Sequence, residues 1–516
     1  MLITEFLWHN ETCRGAKAAF VSVEGRRSFA QLAARVRKLA NALRALGIRP
    51  RQHVASLCTT SAEHQEVVFA LAAIGAVWVP LNTRLSAREL TFIIEDSESV
   101  ALVYSGDMAA MAAEIGKAGA LTTWIGIDPG PPLGHAYEDL LSRGAESALA
   151  PGVAPDDLFT IMYTSGTTGL PKGVMLTHRQ FFFGTVCSTL VLRPAEDDVK
   201  LQLLPQFHAG GQIWQLAFMA AGATIATIPR FDVDGVLDAI DRLGVTAVGF
   251  VPSMLTMLLE SPRIATTDFS RLRRVIYGAA PIPEDRLSRA MAVMRAAGFQ
   301  QTYGLTEAGV LSSVLGEADH LRGLRENPAI LRSCGRQMLG YTMLVVDEQG
   351  APLPDGTVGE MAIRSDSLMS GYWKRPDATA KSLVDGWLRT GDLAYRDAEG
   401  YYFLVDRKTD MIISGGENVY PIEVENVISA HPAVLEVAVI GVPDERWGEA
   451  VKAVVAPRDG ERPSAEEVMA FCRGKLGGFK IPKSVDFIDR IPRNASGKIT
   501  KNVLRDPYWK GRARRI

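Results

Sequence analysis

An α/β fold in two unequal domains is the expectation for this chain of 516 residues, and three features carry it. The length exceeds what one hydrophobic core serves, so a large domain and a smaller one are needed. Short apolar runs of strand length alternate with helical-period segments, which implies α/β layers with largely parallel strands. Beyond about residue 335 strands are punctuated by tight turns, and the final hundred or so residues form a compact α+β unit.

Ser28 and Gln31 make a capping box at the head of 28-SFAQLAARVRKLANALRALG-47, whose apolar residues recur at three and four. A buried strand follows at 53-HVASLC-58, and a helix runs from Ser61 to Ile74. The alternation returns at 158-LFTIMYT-164 and at 246-TAVGFV-251, the latter followed by helical 253-SMLTMLLE-260. The segment 342-TMLVVDEQGAPLPDGTVGEMAIRS-365 predicts a β-rich subdomain. Glycine and charge cluster in 406-DRKTDMIISGGENVYPIEVE-425, where a domain junction fits, dividing the chain into 1–406 and 407–516.

Lys+Arg and Asp+Glu nearly balance, 56 against 58, which argues against a nucleic-acid binder working through a strong basic field. Cys13, Cys58, Cys187, Cys334 and Cys472 are scattered without a C-x-x-C pair, as expected of reduced thiols in a cytoplasmic enzyme. The opening MLITEFLWHN lacks the basic start and apolar run of a signal peptide, and the apolar stretch Leu216 to Ile228 is too short to span a bilayer. The basic end 511-GRARRI-516 reads first as solvated, and second as a weak contact with an anionic membrane surface. A homodimer is compatible with all of this.

The most informative stretch is 163-YTSGTTGLPKGVMLTH-178. It is not the G-x-x-x-x-G-K-[ST] loop of common nucleotide hydrolases, because no glycine stands immediately before Lys172. It still suits a polyphosphate. Gly166 and Gly169 expose backbone N–H groups, Thr164, Ser165, Thr167 and Thr168 add hydroxyls, Lys172 adds charge, and a helix follows.

YTSGTTGLPKG resembles the signature loop of the adenylate-forming enzymes: acyl-CoA synthetases, adenylation domains of peptide synthetases and firefly-type luciferases. The resemblance covers most of the chain, in order, through 204-LPQFHAGG-211, 277-YGAAPIP-283, 302-TYGLTE-307, 389-RTGDLA-394, 406-DRKTD-410, 414-SGGENVYP-421 and 492-PRNASGK-498. It implies ATP, Mg²⁺ and coenzyme A as cofactors, and a small C-terminal domain that swings between two half-reactions.

By that resemblance Tyr303 stacks on adenine, Thr306 bonds the α-phosphate and Glu307 helps hold Mg²⁺, a hard cation that takes oxygen ligands. Gly278, Ala279 and Ala280 belong to the same nucleotide set. Asp392, in a Thr-Gly-Asp turn, suits the two ribose hydroxyls, and Arg407 supports the ribose or phosphate region. His208 positions the carboxylate being activated. Lys498 looks like the family's catalytic lysine, bridging carboxylate and phosphate. Gly415, Gly416 and Glu417 line the path of the pantetheine arm, where a backbone without Cβ lies close to a slender ligand. The family's hinge position is usually Asp or Lys; here it is Thr409, whose β-branch restricts the backbone differently.

No carboxylate stands in 205-PQFHAGGQIWQLAF-218, so a buried α-ammonium would lack its partner and an amino-acid substrate is disfavoured. Gly211, Trp214, Val251, Pro252, Gly304 and Val310 are expected to line the acid pocket and suit an uncharged hydrophobic acid. A medium- or long-chain fatty acid leads, with an aryl acid of the coumarate or ferulate type as the alternative, since Trp214 suits either stacking on a ring or narrowing an alkyl tunnel. The chain ends eighteen residues after Lys498, which leaves free CoA as the expected acceptor and a stand-alone loader of acyl-carrier protein as the rival.

Overall fold

The computed structural model describes residues 1–116, 121–127, 133–149, 152–164, 171–280, 282, 284–407, 410–415, 417–493 and 499–510. Among these the architecture is mixed α/β, with a large N-terminal part and a smaller C-terminal one. The helix Phe29–Ala45 starts at the anticipated capping box: Ser28 Oγ accepts from Gln31 N, and the Gln31 side chain accepts from Ser28 N. Its apolar stripe, including Leu32, Val36, Leu39 and Leu43, is buried, each such leucine contributing about 2 kcal/mol. Ser61 likewise caps the helix Ala62–Ile74.

The first sheet has eight strands. His53–Leu57 lies between Val77–Pro80 and Ala101–Ser105, all parallel, and Leu158–Thr164 continues in parallel beside Val77–Pro80. Lys172–Thr177 then turns back antiparallel on Leu158–Thr164, and Gly371–Tyr372 pairs with its outer edge. The helix expected after the glycine-rich loop does form, His178–Leu192 with a Thr177–Gln180 capping box, but a strand intervenes. The loop therefore joins two antiparallel strands instead of leading directly into a helix.

The second sheet has nine strands. Its centre is parallel: Thr224–Thr227, Val199–Gln202, Ala247–Phe250, Arg274–Gly278 and Gly298–Tyr303 lie side by side in that order. Ala18–Ser22 extends it in parallel, while Gly25–Ser28, Ser313–Leu315 and Arg336–Gln337 make antiparallel edges.

The β-rich segment is a five-stranded sheet in which Tyr341–Val346, Gly359–Ser365, Trp387–Arg396 and Tyr402–Arg407 pair antiparallel in succession. After residue 411 a further sheet is built from Ile412–Ser414, Glu417–Val419, Val434–Asp444, Gly448–Pro457 and Ser484–Phe487. Both of its faces are covered: Val437 and Val439 join one core, while Ala438, Ile440 and Val442 join another. No helix among the described residues is long and apolar enough to cross a membrane.

Candidate active site

Four adjacent parallel strands end on one side of the nine-stranded sheet, and the chain leaving each carries candidate residues. Val199–Gln202 runs into the loop with His208; Ala247–Phe250 into Val251 and Pro252; Arg274–Gly278 into Ala279 and Ala280; Gly298–Tyr303 into Gly304, Thr306 and Glu307. The carboxyl edge of a parallel sheet is where α/β proteins bind ligands, because the loops there are free of the ladder.

Tyr303 terminates its strand and donates its phenol proton to Asp392 Oδ2 at 2.6 Å. Burial first, and then the Asp392 charge, pushes the phenol well above its ordinary range, so it stays a donor. Asp392 is 7% exposed and stands directly opposite Arg407 in the antiparallel ladder. Its other oxygen lies 3.4 Å from Arg407 Nε. Burial opposes the guanidinium charge, but the carboxylates of Asp392 and Asp410 outweigh it and raise the arginine's proton affinity. The fields of Tyr303 and Glu307 also reach Arg407. Tyr303, Glu307, Asp392 and Arg407 are therefore brought together from segments nearly a hundred residues apart.

Glu307 sits in the single 3₁₀ turn Thr306–Ala308. That turn is held by Ser367 Oγ donating to Ala308 O at 2.8 Å and by Met369 N donating to Glu307 O at 2.9 Å. Tyr372, which sequence reasoning did not single out, donates to Glu307 Oε1 at 3.1 Å, and its ring lies 5.1 Å from Lys172 Nζ. Lys172 opens its strand opposite Thr164. One tyrosine thus connects the end of the glycine-rich loop to the Glu307 carboxylate. Its sequence signal was weak, a Gly-Tyr pair whose partners appear only through edge pairing of Gly371–Tyr372.

His208 is the N-cap of the helix Ala209–Ala220; its Nδ1 accepts from Gly210 N at 3.1 Å. A neutral imidazole accepting at Nδ1 carries its proton at Nε2, so the ring presents an N–H there, at the positive end of a helix.

The acid-pocket candidates divide. Gly304 is required by crowding, since a Cβ there would lie 1.7 Å from Val310 O. Val310 has φ +91° and Ala279 φ +70°, both left-handed conformations that cost energy for residues with a Cβ, Val310 most as a β-branched one. Gly211 faces the carbonyl of Pro205, 2.2 Å from its Cβ position, so its lack of a side chain serves close packing at the helix start. Trp214 is 3% exposed, with its ring against Gly249. Val251 precedes the helix Pro252–Glu260, where Pro252 takes the first position. Gly278 ends its strand against Thr302 O.

In the C-terminal part Gly415, φ +63°, follows the strand Ile412–Ser414, and Glu417 opens the strand Glu417–Val419 that pairs back on it. A Cβ on Gly415 would meet the Trp447 ring at 2.7 Å, and Arg446 lies over that ring, a second aromatic that sequence reasoning passed over. Ser165, Gly166, Thr167, Thr168, Gly169, Thr409, Gly416 and Lys498 lie outside the described residues.

Residues 7–373 match the family model of the AMP-binding enzymes, and residues 423–498 match that of the AMP-binding enzyme C-terminal domain. The chain is 38% identical to the fatty acid–[acyl-carrier-protein] ligase ScoC of Streptomyces coeruleorubidus, covering 96% of this chain and 94% of that one. It is 40% identical to a feruloyl-CoA synthase of Amycolatopsis sp, covering 93% of each. ATP-bound MatB from Rhodopseudomonas palustris superposes with a TM-score of 0.88 at 33% identity, over 98% of this chain and 99% of that one. The ends of the parallel strands, the Tyr303–Asp392–Arg407 group and these matches belong together: the chain is a member of the AMP-binding enzyme family.

Proposed function

We propose that the protein is an AMP-forming acid–thiol ligase that joins a hydrophobic carboxylic acid to coenzyme A. In the first half-reaction a carboxylate oxygen attacks the α-phosphorus of ATP and pyrophosphate leaves. In the second, the thiol sulfur attacks the acyl carbonyl, the thiol proton is lost and AMP departs. The observation that carries the reading is the meeting of Tyr303, at the carboxyl end of a parallel strand, with Asp392 and Arg407 of the antiparallel sheet and with the field of Glu307, while another strand of the same parallel set leads to the histidine-capped helix. Tyr303 offers a flat face for adenine, and Asp392, already oriented by Tyr303 and Arg407, accepts from the ribose.

His208 donates from Nε2 to the incoming carboxylate, while the start of the helix Ala209–Ala220 favours negative charge there. With no protein nucleophile needed, rate comes from alignment and neutralised charge. Lys498 supplies that charge between carboxylate and phosphate and leaves when the C-terminal domain turns about Thr409. Gly415, Gly416 and Glu417 then line the path of the thiol.

No group of three or more ligating side chains exists among the described residues, so Glu307 stands outside any such cluster. That fits a Mg²⁺ arriving with the triphosphate and taking one protein carboxylate, where it neutralises phosphate charge.

A medium- or long-chain fatty acid is the leading substrate, supported by likeness to ScoC and by the apolar candidates Trp214, Val251 and Val310. The aryl alternative is supported by likeness to the feruloyl-CoA synthase. The reading goes with a cytoplasmic setting. It is tested by AMP release from ATP and Mg²⁺ with straight-chain, cinnamate-type and benzoate-type acids, using CoA and acyl-carrier protein in parallel. CoA-dependent release with one acid class supports the reading; release only with the carrier makes the protein a carrier-loading ligase.

A further inference from the structure

Lys200 is 1% exposed, inside the strand Val199–Gln202. Strand alternation places it and Gln202 on the same sheet face. Opposite it stand Ile225 and Ala247 on the flanking strands, and the helix Ala209–Ala220 packed on this face carries no titratable side chain. The charge nearest in the chain, Asp198, is taken up by Arg273 and Arg274. Lys200 Nζ donates to Gln202 Oε1. Gln202 Nε2 then donates to Leu204 O at 2.5 Å and to Gly211 O at 3.1 Å.

These partners leave the Gln202 amide one orientation. The two carbonyls only accept, so nitrogen must face the loop and oxygen the lysine. The two carbonyls bracket 204-LPQFHAGG-211 and the start of the helix that holds Trp214. A lysine at such a place is costly, and burial lowers its amino group to about 7.

We propose that Gln202, oriented by Lys200, is a positioning residue for the acid half of the site: its amide pins both ends of the 204–211 loop and so fixes where His208 and Trp214 stand. This rests on the ligase reading above. It assigns a task to two buried polar side chains that the nucleotide chemistry leaves unused.

The test compares wild type with Gln202→Glu and Lys200→Met. Gln202→Glu keeps the size and gives Lys200 a partner, but replaces both N–H donors with a carboxylate that repels the carbonyls. For Gln202→Glu the expected result is a loss of about 10-fold or more in kcat/KM for the acid, with KM for ATP within about twofold. Hydrogen exchange over 204–212 quickens, while melting stays close to wild type. Lys200→Met shows the same pattern more weakly. Unchanged acid kinetics and unchanged exchange overturn the proposal. So does an equal loss for acid and ATP that merely follows a lowered melting temperature. If wild type shows no acid-dependent activity, the ligase reading fails instead, and loop exchange alone then decides the clamp.

Discussion

Replacing Tyr303 by phenylalanine isolates one bond in the nucleotide half of the site. The ring remains, so stacking on adenine is preserved, while Asp392 Oδ2 loses the donor 2.6 Å away. Asp392 is 7% exposed and, among the described residues, its other oxygen has the longer contact of 3.4 Å to Arg407 Nε, so water does not readily make up the loss. Hydrogen bonds to a charged group contribute about 1.5–3 kcal/mol, or roughly 10- to 150-fold in an equilibrium constant. If Asp392 is held ready for the ribose by Tyr303, the Kd for a non-hydrolysable ATP analogue rises by that factor in titration calorimetry. Tyr303→Leu adds the loss of stacking, about a further 10-fold. A Kd for Tyr303→Phe within twofold of wild type refutes the reasoning. Tighter binding refutes it in another way, since it would mean that the phenol competes with the nucleotide for the carboxylate.

Three other perturbations bear on the metal, the hinge and stability. Tyr372→Phe removes the donor to Glu307, and at about 1 kcal/mol the Mg²⁺ needed for half-maximal adenylation rises roughly 5-fold; an unchanged Mg²⁺ titration breaks the link. Thr409→Pro fixes the backbone at the expected hinge, so adenylation stays largely intact while thioester formation falls by about 10-fold or more, measured as separate half-reactions; equal losses reject the hinge. Burial lowers His64, His178 and His320 each to about 4. Their unfolded forms titrate near the ordinary histidine value, so stability is full above about pH 6.5 and is lost as pH falls through about 4, by up to about 3 kcal/mol for each. Asp406, raised to about 6 by burial, works in the opposite sense over pH 4 to 6 as a single group. Calorimetry should show the melting temperature declining already from pH 6.5; a flat profile down to pH 5 contradicts it.

Local signals carried much of the fold. Ser28 and Gln31 cap a helix because the two orphan donors at its start are satisfied by residues three apart, a pattern visible in any sequence. Leu158–Thr164 reads as a strand because it is apolar and ends at glycine-rich chain. What stayed hidden depends on strands meeting at a distance. Tyr372 reaches Glu307 only because Gly371–Tyr372 pairs with the edge of Lys172–Thr177. Gly304 and Gly211 are easily taken for residues that leave room for a substrate, yet each has backbone atoms where a Cβ would stand. Lys200 is the plainest case. A lysine within a short strand is expected in water, and it is buried by a central place in the sheet together with the helices packed against the strand.

The measurement that tests the account most directly is to trap the intermediate. Protein is mixed with ATP, Mg²⁺ and an acid from the active class, without thiol, quenched, and examined by mass spectrometry; CoA is then added to a second portion. The account predicts a species with the mass of the acyl-adenylate, formed with one equivalent of pyrophosphate, that disappears on adding CoA as AMP and the acyl thioester appear. Thioester formation with no adenylate at any time, or with ADP and phosphate in place of AMP and pyrophosphate, contradicts it.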